Sequence, residues 1–180
     1  MEIEDQELVR RVLSGQTAAF RQLVDRHQQA IYRFALGLLG KHEDAQDVTQ
    51  EAFLAAFAHL SRYDPARSAF ATWLFTIARN RCFNLLGRSR TVEHNELDSI
   101  ADVSPADPIV RQEISEQLDR VLAALPVEQR SAFVLAEIEE LPYTEIARIE
   151  QTTLGTVKSR IHRAKQKLQS LLKPVMRDSP

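Results

Sequence analysis

Three carboxylates, Asp44, Asp47 and Glu51, fall close together, and the last two share a face at helical spacing. Such a group could hold a hard cation, but no glycine loop and no partner histidine accompanies it. The histidines His27, His42, His59, His94 and His162 never stand four apart, and Cys82 is the single cysteine. That leaves no metal-ligand spacing and no disulfide framework. No nucleophile–base pattern, nucleotide loop or nucleophile elbow occurs. No metal, cofactor or catalytic role is expected, and the acids read as a solvated or partner-facing patch.

Two other stretches suit nucleic acid. Residues 63–90 combine Tyr63, Phe70, Trp73 and Phe75 with Arg79, Asn80, Arg81, Asn84, Arg88 and Arg90. Arginines hold phosphates, aromatic rings stack on bases and asparagines read base edges. Trp73 fits a helix core. Tyr63 and Phe70 flank a polar break and are less easily explained that way. In residues 153–168, Val157, Ile161, Ala164 and Leu168 make one apolar helical face. Lys158, Arg160, Arg163, Lys165 and Lys167 lie around the rest, and no acid falls between Gly155 and Lys173. A short amphipathic segment, 143–149, and a turn precede this helix. Helix, turn and basic helix are what a major-groove reader needs.

These stretches need helices to position them. The 180 residues are 44% hydrophobic and 27% charged, with only five glycines and little β-branched alternation, which points to an all-α chain. No apolar run approaches the roughly 20 residues of a membrane span. The acidic start is wrong for a secretory signal, so a cytoplasmic location is expected. Net charge is −2, but it is unevenly placed: 12 Lys/Arg against 10 Asp/Glu in residues 1–90, 3 against 12 in 91–142, and 8 against 3 in 143–180. A basic tool beside an acidic spacer is the reading.

Periodicity predicts a short first helix stopped at Ser14 and Gly15, and a second capped by Thr17 and ended by Gly40. His27 falls on the apolar stripe of the second, where a buried, hydrogen-bonded ring is expected. A third helix runs over about 43–60, with acids in its first turn suiting the macrodipole. Tyr63-Asp64-Pro65 breaks the third helix, and Ser68 can cap a fourth helix that turns basic. Residues 91–108, with acids, serines, Pro105 and Pro108, read as a linker. Helices follow near 114–125, over 127 to about 139, from Pro142, and through 153–172.

In order along the chain, DAQDVTQEAFL (44–54), FATWLFTIARN (70–80), YTEIA (143–147) and GTVKSR (155–160) resemble the extracytoplasmic-function sigma factors of bacterial RNA polymerase. The resemblance spans nearly the whole chain. It implies two small helical domains joined by a flexible acidic linker: sigma domain two over 1–90, the linker over 91–108, and sigma domain four, ending in a helix-turn-helix, over 109–180. It also implies a non-enzymatic subunit whose partners are core polymerase, promoter DNA and, commonly, an anti-sigma factor. Asp44, Asp47, Gln50 and Glu51 would dock on the β′ coiled coil, and the β flap would be a further contact on core polymerase. Arg62, Tyr63, Phe70, Arg79, Asn80, Arg81, Asn84 and Arg88 would meet the −10 element on the non-template strand, with a base flipped out of the stack. Thr156, Ser159, Arg160 and Arg163 would reach −35 base edges, and Lys158, Lys165 and Lys167 the phosphates. The linker would run near the nascent RNA path. Three positions depart from the family pattern: Pro142 where serine is usual, Gln151 where the turn has glycine, and Asn84 where an acid is common. The alternative reading is a stand-alone helix-turn-helix regulator, which would bind a palindrome as a dimer without polymerase.

Overall fold

The structure, a computed structural model, describes residues 4–92 and 121–172. All regular structure among them is helical. The expected linker 91–108, apart from its first two residues, and most of the helix expected near 114–125 lie outside the described residues.

The first half holds α1 (Asp5–Leu13), α2 (Phe20–Leu39), α3 (His42–Ala58) and α4 (Phe70–Val92). Gly40 ends α2 in the left-handed region at φ 71°, its N–H donating to Leu36 O at 2.8 Å. That tight reversal lays α3 back along α2, and α4 packs across both. Phe34 of α2 meets Phe75 of α4 edge-on, centroids 5.5 Å apart. Two sequence expectations shift here. Thr17 supplies no side-chain cap; it opens a 3-10 turn, Thr17–Ala19, that leads directly into α2. The third helix ends at Ala58, and its expected last turn becomes a 3-10 turn, Leu60–Arg62.

The expectation for His27 holds. Its Nε2 lies 2.7 Å from Asp5 Oδ2, and its ring packs 5.6 Å from that of Phe70. Asp5, also bonded to Arg26, thereby ties α1 onto α2. Burial pushes the Asp5 carboxyl up, but its bonds to His27 and Arg26 together hold it below the ordinary value. A lowered carboxyl contributes stability above the ordinary carboxylate range, and that stability is lost as pH falls through the lowered value. Asp5→Asn should therefore lose about 1–2 kcal/mol in urea unfolding at pH 7. Its deficit against the wild type should shrink as the pH drops below that range; a deficit independent of pH would contradict the assignment.

The second half holds α5 (Val127–Glu137), α6 (Tyr143–Ile149) and α7 (Leu154–Leu172). Pro126 and Pro142 precede the first turns of α5 and α6, where a missing N–H costs nothing. Two non-glycine residues take left-handed backbone, Glu140 at φ 53° and Gln151 at φ 51°. The second is the turn position where the family pattern has glycine, and the conformation costs on the order of 1 kcal/mol. Thr153 caps α7, its Oγ1 accepting from Thr156 N at 3.2 Å. Val157, Ile161, Ala164 and Leu168 form the buried stripe of α7, as their spacing predicts.

Candidate nucleic-acid interface

Helix α4 presents two distinct faces about a quarter turn apart. Trp73, Ile77, Asn80 and Asn84 recur at helical spacing on one face. With Ala55, His59, Arg62 and Arg81 they line an open cavity of about 440 Å³. Four residues predicted to meet single-stranded DNA, Arg62, Asn80, Arg81 and Asn84, thus converge on one concavity. Trp73 forms its apolar wall. It is only half-buried, so it belongs to the core and to the cavity at once. The sequence expectation placed Trp73 in the core alone. Its i, i+7 and i+11 spacing to Asn80 and Asn84 was the signal that pairs it with them.

Tyr63 and Phe70 need the opposite correction. Phe70 is 1% exposed and Tyr63 7%. Their rings stand 5.6 Å apart, at 5.9 and 5.4 Å from Trp73, and Tyr63 donates to Ser68 O at 3.1 Å. The polar break folds over them: Asp64 Oδ1 accepts from Ala66 N, closing the turn above the rings. Both rings therefore support the cavity from behind, and neither is available to stack on a base in this conformation.

Arg79 also leaves the predicted group. It sits on the second face with Thr72, Thr76 and Phe83. Its guanidinium lies 4.0 Å from the centre of the Phe83 ring and 3.3 Å from Glu150. Arg81 pairs with Glu51 of α3, joining a residue expected to read DNA to one expected to dock on polymerase. Arg88 lies in α4, but its side chain is outside the described residues. Cys82 is buried on the side of α4 away from the cavity, and burial pushes its thiol up to about 12, so it stays protonated.

The four residues expected to dock on a partner divide into two groups. Asp44, Asp47 and Glu51 line a small hollow with Val48, Arg81, Asn84 and Leu85. Gln50 faces the other way, into an apolar groove of about 1010 Å³ between α2 and α3. Phe20, Val24, Phe53, Leu54 and Phe57 form its walls, and Leu54 is 61% exposed. The sequence reading missed these groove residues. Exposed apolar side chains in α3 look like ordinary core until the position of α2 is known.

On α7, Lys158, Ser159, Arg163 and Lys167 are exposed, and Thr156 is half-buried at the capped first turn. Lys165 is anchored to Glu137 at 2.8 Å. Arg160 is drawn inward: its Nη1 donates to Glu150 Oε2 at 2.9 Å. Glu150, the last residue before the turn, has a fully buried side chain that also accepts from the buried Ser131 hydroxyl. A buried carboxylate needs such partners, and here two of the predicted DNA contacts, Arg79 and Arg160, supply them.

One helical domain with a concave Arg/Asn/Trp pocket and a second with a capped basic recognition helix define a two-domain DNA-binding protein. The chain matches the family Sigma-70 region 2 over residues 23–91 and the family Sigma-70, region 4 over residues 115–168. It is 36% identical to the RNA polymerase sigma-H factor of Pseudomonas aeruginosa over 189 residues, covering 98% of this chain and 97% of that protein. It is 31% identical to the ECF RNA polymerase sigma factor SigW of Bacillus subtilis over 186 residues, covering 96% and 99%. Among solved structures it resembles the sigma factor RpoE of Bartonella quintana in its complex with the anti-sigma factor NepR. That match has a TM-score of 0.69 and 31% identity, over 86% of this chain and 96% of that one. The chain belongs to the extracytoplasmic-function sigma factors and directs promoter-specific transcription initiation. Among the described residues no helix is long and apolar enough to cross a membrane.

Proposed function

We propose that the chain binds core RNA polymerase through α3, holds an unpaired −10 base of the non-template strand in the Trp73–Asn80–Asn84 cavity, and lays α7 in the −35 major groove. It acts in the cytoplasm and has no catalytic activity of its own. Domain two would occupy residues 1–90, the linker 91–108 and domain four 109–180. The observation that carries this reading is the cavity on α4. A concave site with an indole wall, two asparagines and two arginines suits an extruded base and its flanking phosphates. A duplex-only regulator has no use for it.

On α3, Asp44, Asp47 and Glu51 would attract a basic coiled coil of β′, while the exposed Leu54 and Phe57 would supply apolar contact beside Gln50. On α7, the exposed Ser159 and Arg163 and the half-buried Thr156 would reach base edges, and the exposed Lys158 and Lys167 would hold phosphates. The β flap and an anti-sigma factor are the further partners this reading implies.

The decisive experiment adds the purified chain to bacterial core polymerase and maps transcripts from a promoter library. Promoter-directed transcripts are expected, and failure to form a complex with core would sink the reading. Leu54→Ser combined with Phe57→Ser should weaken core binding about tenfold, since each removes one exposed anchor. Unaltered core affinity in that variant would move the docking site elsewhere.

A further inference from the structure

The cavity on α4 has a second wall, contributed by α3. Asp47, Glu51, Ala55 and His59 recur four apart, so they form one row along α3 and its C-cap. That row faces α4. Glu51 pairs with Arg81, and Ala55 and His59 line the same cavity as Trp73, Ile77, Asn80 and Asn84. Between the Glu51–Arg81 pair and His59 the row carries only the methyl of Ala55, which leaves room between the two helices.

His59 is held as a wall must be. Its N–H donates to Ala55 O at 3.0 Å, and its carbonyl accepts from Arg62 N at 2.8 Å. The next residue, Leu60, is buried and pins the chain to the core. The main chain of His59 is therefore fixed from both sides, while its side chain is exposed. Two other histidines of this half are already engaged, His27 with Asp5 and His42 with Tyr32. Among the described residues the ring of His59 has no hydrogen-bond, ion-pair or ring partner. Folding of the chain makes no use of it.

A base turned out of its stack has two faces to cover. Trp73 can cover one from α4, and the other would stay in water. We infer that His59 is the second stacking wall of this cavity, so that an extruded base is held between an indole on α4 and an imidazole on α3. This rests on the function proposed above, since it requires a base in the cavity. The division of labour follows from the chemistry. Stacking grips any base, because every base has a π-face. Selection among bases then falls to the amides of Asn80 and Asn84, which can pair with a base edge.

The test uses the full chain with core polymerase and promoters carrying a fluorescent base analogue at successive −10 positions. His59→Ala should reduce strand opening about fivefold, the low end of what one aromatic stack supplies. His59→Phe, which restores a flat ring, should recover most of that loss. His59→Gln, which keeps a polar group without a ring, should not. The loss in His59→Ala should be alike whichever of the four bases takes the trapped position. Ala55→Leu, which fills the space between the walls, should impair opening as well. Core affinity, −35 duplex binding and helicity by circular dichroism should match the wild type in each variant. Unchanged opening in His59→Ala overturns the second wall. So does equal loss in His59→Phe, which would make the ring a hydrogen-bonding or charged contact, and so does a loss confined to one base. If Trp73→Leu also leaves opening unchanged, the cavity and the function proposed for it fall together. If Trp73→Leu impairs opening and His59→Ala does not, only the second wall falls.

Discussion

Replacing Glu150 by alanine should lower the free energy of unfolding by about 3 kcal/mol, near the lower end of the range for breaking a buried ion pair. The carboxylate is fully buried and serves Ser131, Arg160 and Arg79. Its removal leaves the buried Ser131 hydroxyl without this acceptor. Arg160 is 24% exposed and can turn to water, which keeps the loss from the upper end of that range. For a chain of this size the shift in melting temperature should be about 6–12 °C. Glu150→Leu combined with Ser131→Ala should recover only the part due to the orphaned hydroxyl, because Arg79, 15% exposed, still loses its partner. Thermal unfolding followed by circular dichroism decides. Equal stability of Glu150→Ala and the wild type would mean that the carboxylate is not the buried hub described here.

Trp73→Leu should impair strand opening by about 5- to 150-fold, the equivalent of the 1–3 kcal/mol that stacking one base on an aromatic ring supplies. Leucine retains apolar volume against Tyr63 and Phe70, so the first half should still fold. What it lacks is a broad flat face toward Asn80 and Asn84. Fluorescence of a base analogue placed at successive −10 positions reports opening, and binding of −35 duplex serves as the control. Loss of opening with unchanged duplex binding is the expected pattern. Unchanged opening would remove the cavity from the mechanism, and parallel loss of both would point to a folding defect instead.

Much of this architecture is legible in the sequence, because helices with one buried face announce themselves by period. The stripe Val157, Ile161, Ala164 and Leu168 and the stop at Gly40 lie where spacing and turn chemistry put them, while the turn at Gln151 was legible only through the family resemblance. The misreadings share one physical origin. Tyr63 and Phe70 are residue types that suit a base-stacking platform and a core equally well, and only the fold of the 63–69 loop over them distinguishes the two. Trp73 was ambiguous in the opposite sense. Glu150 is a single acid in an amphipathic segment until Arg79, 71 residues earlier, arrives beside it. The apolar groove and the junction of the halves were equally hidden, since each is made by surfaces from distant segments. Periodicity reports that a face is apolar, not what covers it.

The buried Tyr63 has one more consequence. With its hydroxyl on Ser68 O and Asp64 on Ala66 N, the loop ahead of α4 is already folded before any nucleic acid arrives. Ordering a free loop on contact would consume about 1–2 kcal/mol of backbone entropy per residue. Here that entropy is lost during folding of the protein, not at the promoter. Binding free energy gained from the strand can then go to holding its bases apart rather than to organising the receptor, as in any preorganised host.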